Sequence, residues 1–526
     1  MVNNGVGAVP QQYVWTYAEM ANFKRIDMLR SLFKGEHATY FVLPDGGEEP
    51  YEYITINWLG DVVSETWKRF LFRKEPRVFT KDDSVNAFIN SLELLTTCLS
   101  AELHKSFAGR AILKCYYSQL SKRPCFKLWG SVVGEYTTIE YLNGDNSTPI
   151  AVTFWYTRHL GSGVTESRLV GSDSSNDITP QVLTSTNACI IAERHDLVFT
   201  VDANTGDYTI TGTKVTNKAF SYNGGYPVDT EIPWAEIWKD ELITPKQNFS
   251  TPLTRLPFVV VHNFDRNGDG DGDTDYTPSL ISLQKNINKL VAVRQLIIDM
   301  SERPLMKIPE TWLTTDINGK TTLDWDQVRM RTSVEGEPTG EELQITQWTG
   351  NLENSDKQWK FYREELYSLT GISPIMTGAS DAEGRSGLAR RLTMVSSEAE
   401  ITARRHQWSK GYKDIVSLAL EMQNIYGHTS FDTVIPVEIQ WASALPMESA
   451  ELTATVIQEY GSGLRSVESS VRNLPLNEDM SEEMVLKEIE YAVEFVAKQI
   501  KLQMDQKNQM LSDNNKTNIT GKSENV

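Results

Sequence analysis

The sequence has few cysteines. The four in 526 residues (Cys98, Cys115, Cys125 and Cys189) form no C-x-x-C pair and no framework spacing. That excludes a disulfide scaffold and a thiolate metal site, and they read as small buried hydrophobes of a reduced protein. No stretch reaches the ~18 consecutive apolar residues of a membrane span. The opening MVNNGVGAVPQQYVW lacks the basic start and apolar core of a secretory signal, so synthesis in the cytoplasm is expected. Catalytic signatures are missing too. No G-x-x-x-x-G-K-[ST] loop cradles a nucleotide phosphate, and neither H-E-x-x-H nor a G-x-S-x-G elbow occurs. The seven histidines are scattered, with no i, i+4 pair to hold a metal on a helix. The chain is expected to have no catalytic activity of its own.

Positive charge is also scarce: 51 Lys+Arg stand against 70 Asp+Glu, a net −19. Gripping duplex DNA requires phosphate neutralisation, so a clamp is excluded. A surface that surrounds DNA without holding it is not. Apolar residues, by contrast, are plentiful. With 40% hydrophobic and 10% aromatic residues the chain can build real cores. Its length suits about three or four units of roughly 150 residues.

Residues 11–110 carry helical stripes, among them Tyr13, Tyr17, Met20 and Phe23, and later Leu92, Leu95 and Leu99. From 111 to 262 the chain turns β-rich, with Ile150–Tyr156, a hairpin from Val198–Val201 into Tyr208–Thr211, and Pro257–Val261. A helix is expected from about Thr277 to Arg303, closed by Pro304 and Pro309, then a turn-rich β insert to about Gly350 holding Trp312, Trp325 and Trp348. A second helix spans roughly Glu353 to Leu369, with Trp359, Tyr362 and Leu366 aligned. The breaker-rich stretch 370–387 follows, with Ile375 and Met376 reading as an exposed apolar pair. Helical periodicity then holds from Leu388 to about Tyr426, on the order of 55 Å of helix, a length hard to bury in a compact monomer. A strand at Val434–Trp441 and helix from Met447 to about Met504 come next, and the polar tail from Lys507 reads as disordered. The class is α+β.

Two charge patterns stand out. Arg385, Arg390, Arg391, Arg404 and Arg405 make the start of the long helix locally basic; they are candidates to face DNA or a neighbouring subunit, or simply a solvated face. Asp265, Asn267, Asp269, Asp271 and Asp273 reproduce the first half of a calcium loop, with Gly270 at the turn. The closing Glu is replaced by Tyr276, with Asp275 adjacent. Calcium is therefore a candidate ligand, and a merely acidic loop the alternative.

In its second half the sequence resembles the portal proteins of tailed double-stranded-DNA bacteriophages. The resemblance rests on the helix Leu280–Asp299 with Arg303-Pro304, T-G-I-S-P at Thr370–Pro374, and R-S-G-L-A-R-R at Arg385–Arg391. The strand ending at Trp441, Leu445-Pro446, and the Gly461–Ser466 turn with Glu468 also match, so coverage is about 260–500. The resemblance implies a ring, typically of about twelve subunits, with an axial channel for genome packaging and ejection. It also implies a division of the chain: 1–262 as wing, 277–303 and 351–369 as stem, 304–350 as clip and 388–428 as spine. The wing would receive a return strand at 429–446, and 447–507 would be a crown. Residues 370–387 would be the channel loop, with Gly371, Ile372, Ser373, Pro374, Ile375, Met376, Thr377 and Gly378 nearest DNA, and the three insert tryptophans would be interface candidates. Implied partners are further copies of the chain, a packaging motor (terminase), a head-to-tail connector, the major capsid and scaffolding proteins, and DNA passing without sequence specificity. The implied location is the virion. Other virion connectors or minor capsid proteins share much of this reading. A calcium-binding extracellular binding protein or hydrolase is the alternative from another class.

Overall fold

The computed structural model describes residues 15–41, 54–142, 148–159, 188–201, 208–223, 226–238, 244–264, 272–302, 305–307, 313–315, 321–323, 344–346, 352–378, 387–433, 435–442, 449–472, 474 and 482–520. They mix helix and sheet, compatible with the α+β class. The chain divides into two compact units, Met1–Asp381 with Met394–Ala444, and Ala382–Thr393 with Leu445–Val526.

In the first unit, α1 (Tyr17–Phe33) starts at a capping box. Thr16 Oγ1 accepts from the Glu19 amide at 3.2 Å, and the Glu19 carboxylate accepts from the Thr16 amide at 2.7 Å. Next come α2 (Ala38–Phe41), a π-helical turn (Leu59–Ser64), α3 (Glu65–Leu71), β1 (Arg77–Phe79), α4 (Asp83–Ser91) and α5 (Leu95–Ala108). Gly109 ends α5 at φ +88° and lies against Gly272 at φ +76°; a Cβ on either would collide with the other's carbonyl oxygen.

The β region comprises β2 (Arg110–Ser118), β3 (Arg123–Trp129), β4 (Tyr136–Tyr141), β5 (Pro149–His159), β6 (Ala188–Val201), β7 (Tyr208–Asn223), β8 (Tyr226–Ile232), the short α6 (Trp234–Ile237), β9 (Asn248–Thr251) and β10 (Phe258–His262). The large antiparallel sheet runs β4-β5-β6-β7-β8, with β9 also on β7, and a smaller sheet runs β10-β2-β3. Val152 and Phe154 of β5 pack on Ile112, Trp129 and Phe258 of the smaller sheet. Trp155 of β5 and Ile190 of β6 pack on the other side against Trp15 and Phe23. Both faces of the large sheet are covered, which is why Ile150–Tyr156 is apolar without a clean alternation.

Then α7 (Pro278–Glu302) leads into four short strands. β11 (Leu305–Lys307) pairs β14 (Gln344–Thr346), and β12 (Leu313–Thr315) pairs β13 (Thr321–Leu323), both antiparallel. The chain returns through α8 (Glu353–Thr370) to the long α9 (Gly387–Gly427) and β15 (Glu438–Gln440). β15 is shorter than the strand read at Val434–Trp441, and it pairs with β1, Val78 opposite Ile439.

The expectation that so long a helix is hard to bury within one compact chain is corrected here. Within the first unit Met394, Ile401, Trp408, Tyr412, Ile415, Val416, Ala419, Leu420 and Met422 are all buried. Val416 and Leu420 pack on Val85 and Ile89 of α4, with Phe88 and Phe431 beside them. Trp408 meets Phe72, and Tyr412 meets Trp441. Gly411 leaves room for Val261 of β10. This stretch of α9 is the core around which helical and β parts gather, so its length is no argument for further subunits.

The second unit holds α10 (Ser449–Gly461), α11 (Val467–Arg472) and α12 (Glu482–Thr520), with Val456, Val471 and Val485 buried. The tail read as disordered from Lys507 is helical to Thr520. That stretch loses its apolar period but contains no Pro or Gly, so nothing stops an established helix from propagating.

Candidate functional site

α7 and α8 pack together, and Arg294 pairs with Asp356 at 2.6 Å. The hydrogen-bonded β11 and β14 sit between their ends, so the two helices run in opposite directions. Trp359 of α8 meets Trp58 edge-on at 5.0 Å between centroids. A buried polar clamp fixes the start of α7. Gln284 Oε1 accepts from the amides of Trp58 (3.0 Å) and Leu59 (3.2 Å), and Asn288 Oδ1 accepts from the Ile56 amide (3.2 Å). Asn288 Nδ2 donates to His37 Nδ1 at 2.8 Å, and His37 Nε2 lies 2.9 Å from the Leu32 carbonyl. That assignment makes His37 neutral with its proton on Nε2, and burial lowers its pKa in the same direction. Sequence reading missed the clamp, although Gln284 and Asn288 at i, i+4 inside the Leu280–Leu283–Ile287 stripe were a signal.

After α8, Gly371 at φ +69° caps the helix and Pro374–Thr377 forms a 3₁₀ turn. One hydroxyl on α9 clasps this segment: Ser397 Oγ donates to the Gly371 carbonyl (2.7 Å) and accepts from the Ser373 amide (2.9 Å). Tyr367 and Thr377 hydroxyls lie 2.9 Å apart. Ile372, Ser373 and Met376 are buried, Gly371 and Ile375 half-buried, and only Pro374, Thr377 and Gly378 exposed. The reading of Ile375 and Met376 as an exposed apolar rim is corrected: the 3₁₀ turn folds Met376 inward. Residues 379–386 lie outside the described residues.

A larger correction concerns Arg404. Far from facing DNA or a neighbour, it is 1% exposed at the centre of a charge cluster. Its Nη1 donates to Glu102 Oε1 (3.2 Å) and Asn263 Oδ1 (3.0 Å), and its Nη2 to Asp275 Oδ1 (2.7 Å). The guanidinium lies over Trp67 and Phe264. Glu102 also receives Trp408 Nε1 at 2.6 Å and pairs with Lys105 at 2.7 Å. Asp275 also receives Asn263 Nδ2 and Ser106 Oγ, each at 2.7 Å. Burial opposes the charge on Arg404, but Asp275 and then Glu102 outweigh it and raise its pKa. Burial lowers that of Lys105, Glu102 opposing and Arg404 adding to the effect. Two cations and three carboxylates, Glu400 standing 3.5 Å from Arg404 Nη2, make a charge set that joins α5, the segment after β10, and α9.

Arg405 is half-buried with its guanidinium 5.4 Å from the Trp441 ring centre, and burial lowers its pKa; it packs within the chain rather than standing free. Arg385 lies outside the described residues, as do the side chains of Arg390 and Arg391. Trp312, Trp325 and Trp348 lie outside them too. So do Asp265, Asn267, Asp269 and Asp271, while Asp273 is bridged through its backbone to Phe264. Asp275, the carboxylate nearest the missing twelfth ligand, is turned to Arg404 instead, and the Tyr276 hydroxyl lies 2.8 Å from Ser64 Oγ. Among the described residues no group of His, Cys, Asp or Glu could hold a metal ion. Cys98, Cys115 and Cys189 are buried and Cys125 half-buried; burial pushes the Cys98 thiol up to about 12. No helix among the described residues is long and apolar enough to cross a membrane. No protein-family model and no curated protein matches this chain.

Proposed function

We propose that the chain is a subunit of a portal-type ring: a non-enzymatic conduit at one vertex of a tailed-phage head, through which double-stranded DNA is packed and released. One observation carries the reading. Two antiparallel helices, α7 and α8, leave and re-enter the same unit around a small β insert, and a clasped 3₁₀ turn follows before a 41-residue helix. That order supports α7 and α8 as stem, the insert as clip, the turn as the root of the channel loop and α9 as spine. A net charge of −19 supports it as well, since DNA must slide past rather than be held. The reading no longer leans on an uncovered spine helix, because α9 is covered by its own chain between Met394 and Met422.

On this reading translocation is driven by a separate motor ATPase, and further partners are a head-to-tail connector and the capsid and scaffolding proteins. The test is native mass and negative-stain imaging of the full chain. A closed ring with an axial opening is the expected result. A monomer at every salt and protein concentration overturns the reading, and an oligomer without an axial opening favours another virion component. ATP turnover is expected only when a motor protein is added.

A further inference from the structure

The polar clamp at the start of α7 has a fixed polarity. His37, Gln284 and Asn288 are each at most 1% exposed, so bulk water does not replace a lost partner. Besides the bonds described above, Gln284 Nε2 donates to the Ile56 carbonyl and to Asn288 Oδ1, the latter at 2.9 Å. Asn288 Oδ1 thus accepts from the Ile56 amide and from Gln284, and Gln284 Oε1 accepts from the Trp58 and Leu59 amides. Turning either side-chain amide over would set N–H against N–H. Asn57 is committed likewise: its Nδ2 donates to the Phe33 carbonyl (2.8 Å) and its Oδ1 accepts from the Gly60 amide (3.0 Å). The network is oriented throughout, and among these four side chains only His37 titrates.

A protonated His37 would carry N–H on Nδ1, facing the Asn288 NH2 at 2.8 Å. Donor would meet donor, and Asn288 cannot turn to accept without losing Ile56 and Gln284. The closed clamp therefore admits only the neutral ring. Burial works to the same end: it lowers the His37 pKa, against the Leu32 carbonyl and Asn57, which raise it. No charged group contributes to that shift, neither Arg30, Lys34 and Glu36 along the chain leading to it, nor Asp61 on the π-helical turn, nor Lys285 and Lys289 on α7.

The clamp joins α7 to residues 56–59 and, through His37, to the end of α1, while Trp58 meets Trp359 of α8. We propose that it is an acid-operated latch: protonation of His37 frees the root of the α7–α8 pair from α1 and the 56–59 stretch while the β sheets stay folded. The latch needs no second chain. Above pH 6.5 both the closed and the open form are neutral at His37. Below it the open form takes a proton that the closed one refuses, so each pH unit favours opening about tenfold, down to the lower pKa of the closed form.

The test is hydrogen exchange of the full-length chain from neutral pH into acid. Mass spectrometry reads protection factors on the peptide holding Ile56, Trp58 and Leu59, and on the β6–β7 ladder. His37→Gln offers one acceptor and one donor but cannot titrate. Below about pH 6.5, protection at 56–59 is expected to fall about tenfold per pH unit in wild type relative to this variant, with no such difference in the ladder. Asn288→Asp puts an acceptor opposite Nδ1, which makes the protonated ring the closed form. Its protection is expected to hold through the range in which wild type opens. Parallel profiles for wild type and His37→Gln overturn the latch, and so does an equal difference in the ladder, which would mark global unfolding. Should His37→Gln not fold, Asn288→Asp decides: protection that falls in acid as steeply as in wild type overturns the proposal.

Discussion

Arg404→Met should be among the most damaging single changes in the first unit. The substitution keeps an apolar stem of similar reach over Trp67 and Phe264 but removes the cation shared by Glu102 and Asp275. Breaking a buried pair by deleting one partner costs about 3–5 kcal/mol, because the other charge stays buried. Both carboxylates here retain two partners: Asn263 and Ser106 for Asp275, Lys105 and Trp408 for Glu102. The loss should therefore fall at the lower end, about 3 kcal/mol. Arg404→Lys keeps the charge but lacks the planar fork that reaches both carboxylates, and should lose about half as much, ~1.5 kcal/mol. Combining Arg404→Met with Asp275→Asn should cost clearly less than the sum of the two, since the second change removes the charge stranded by the first. Urea unfolding followed by tryptophan fluorescence reads these directly, with Trp67 and Trp408 at the cluster. A loss under ~1 kcal/mol for Arg404→Met, or strict additivity with Asp275→Asn, would refute the reasoning.

Gly272→Ala should destabilise by about 2 kcal/mol or more, since it puts a Cβ both at positive φ and against the Gly109 carbonyl; a thermal melt within a degree of wild type would contradict this. Ser397→Ala removes the acceptor for the Ser373 amide and the donor to Gly371, so hydrogen exchange at that amide should accelerate at least tenfold while the β sheets stay protected. Burial lowers the His104 pKa from 6.5 to about 4, against the Gly130 and Arg110 carbonyls that its ring nitrogens face. Below pH 6.5 the unfolded chain takes up a proton that the folded one refuses, so this residue should remove ~1.4 kcal/mol of stability per pH unit down to about pH 4. Equilibrium unfolding across that range should show a shallower pH slope for His104→Gln; parallel slopes would dismiss the effect.

The long helices were legible because period and terminators agreed: Pro304 after α7, Gly371 after α8, and no breaker but Gly411 inside α9. Arg404 was misread although the signal was present. It lies three residues after Ile401 and four before Trp408, on the buried stripe, but an Arg-Arg pair in a helix reads first as a solvated face. Met376 was misread because a breaker-rich stretch suggests exposure, whereas Pro374 set up a turn that folds the side chain in. β1 could not be read at all, being three residues long and a strand only by its pairing with β15, which the sequence shows but as too long a run, Val434–Trp441. The Asn263 and Ser106 partners of Asp275 likewise come from distant parts of the chain, which no local pattern reports.

That β1–β15 pairing also sets a timetable for synthesis. Val78 has no strand partner until Ile439 has left the ribosome, and Val85 and Ile89 have no core until Val416 and Leu420 follow. The early helices must therefore wait, apolar faces open, through translation of the whole β region and both α7 and α8. Non-local closure of this kind folds slowly and exposes sticky intermediates. A chain cut short before residue 416 would keep those faces uncovered, marking it for chaperones and proteases.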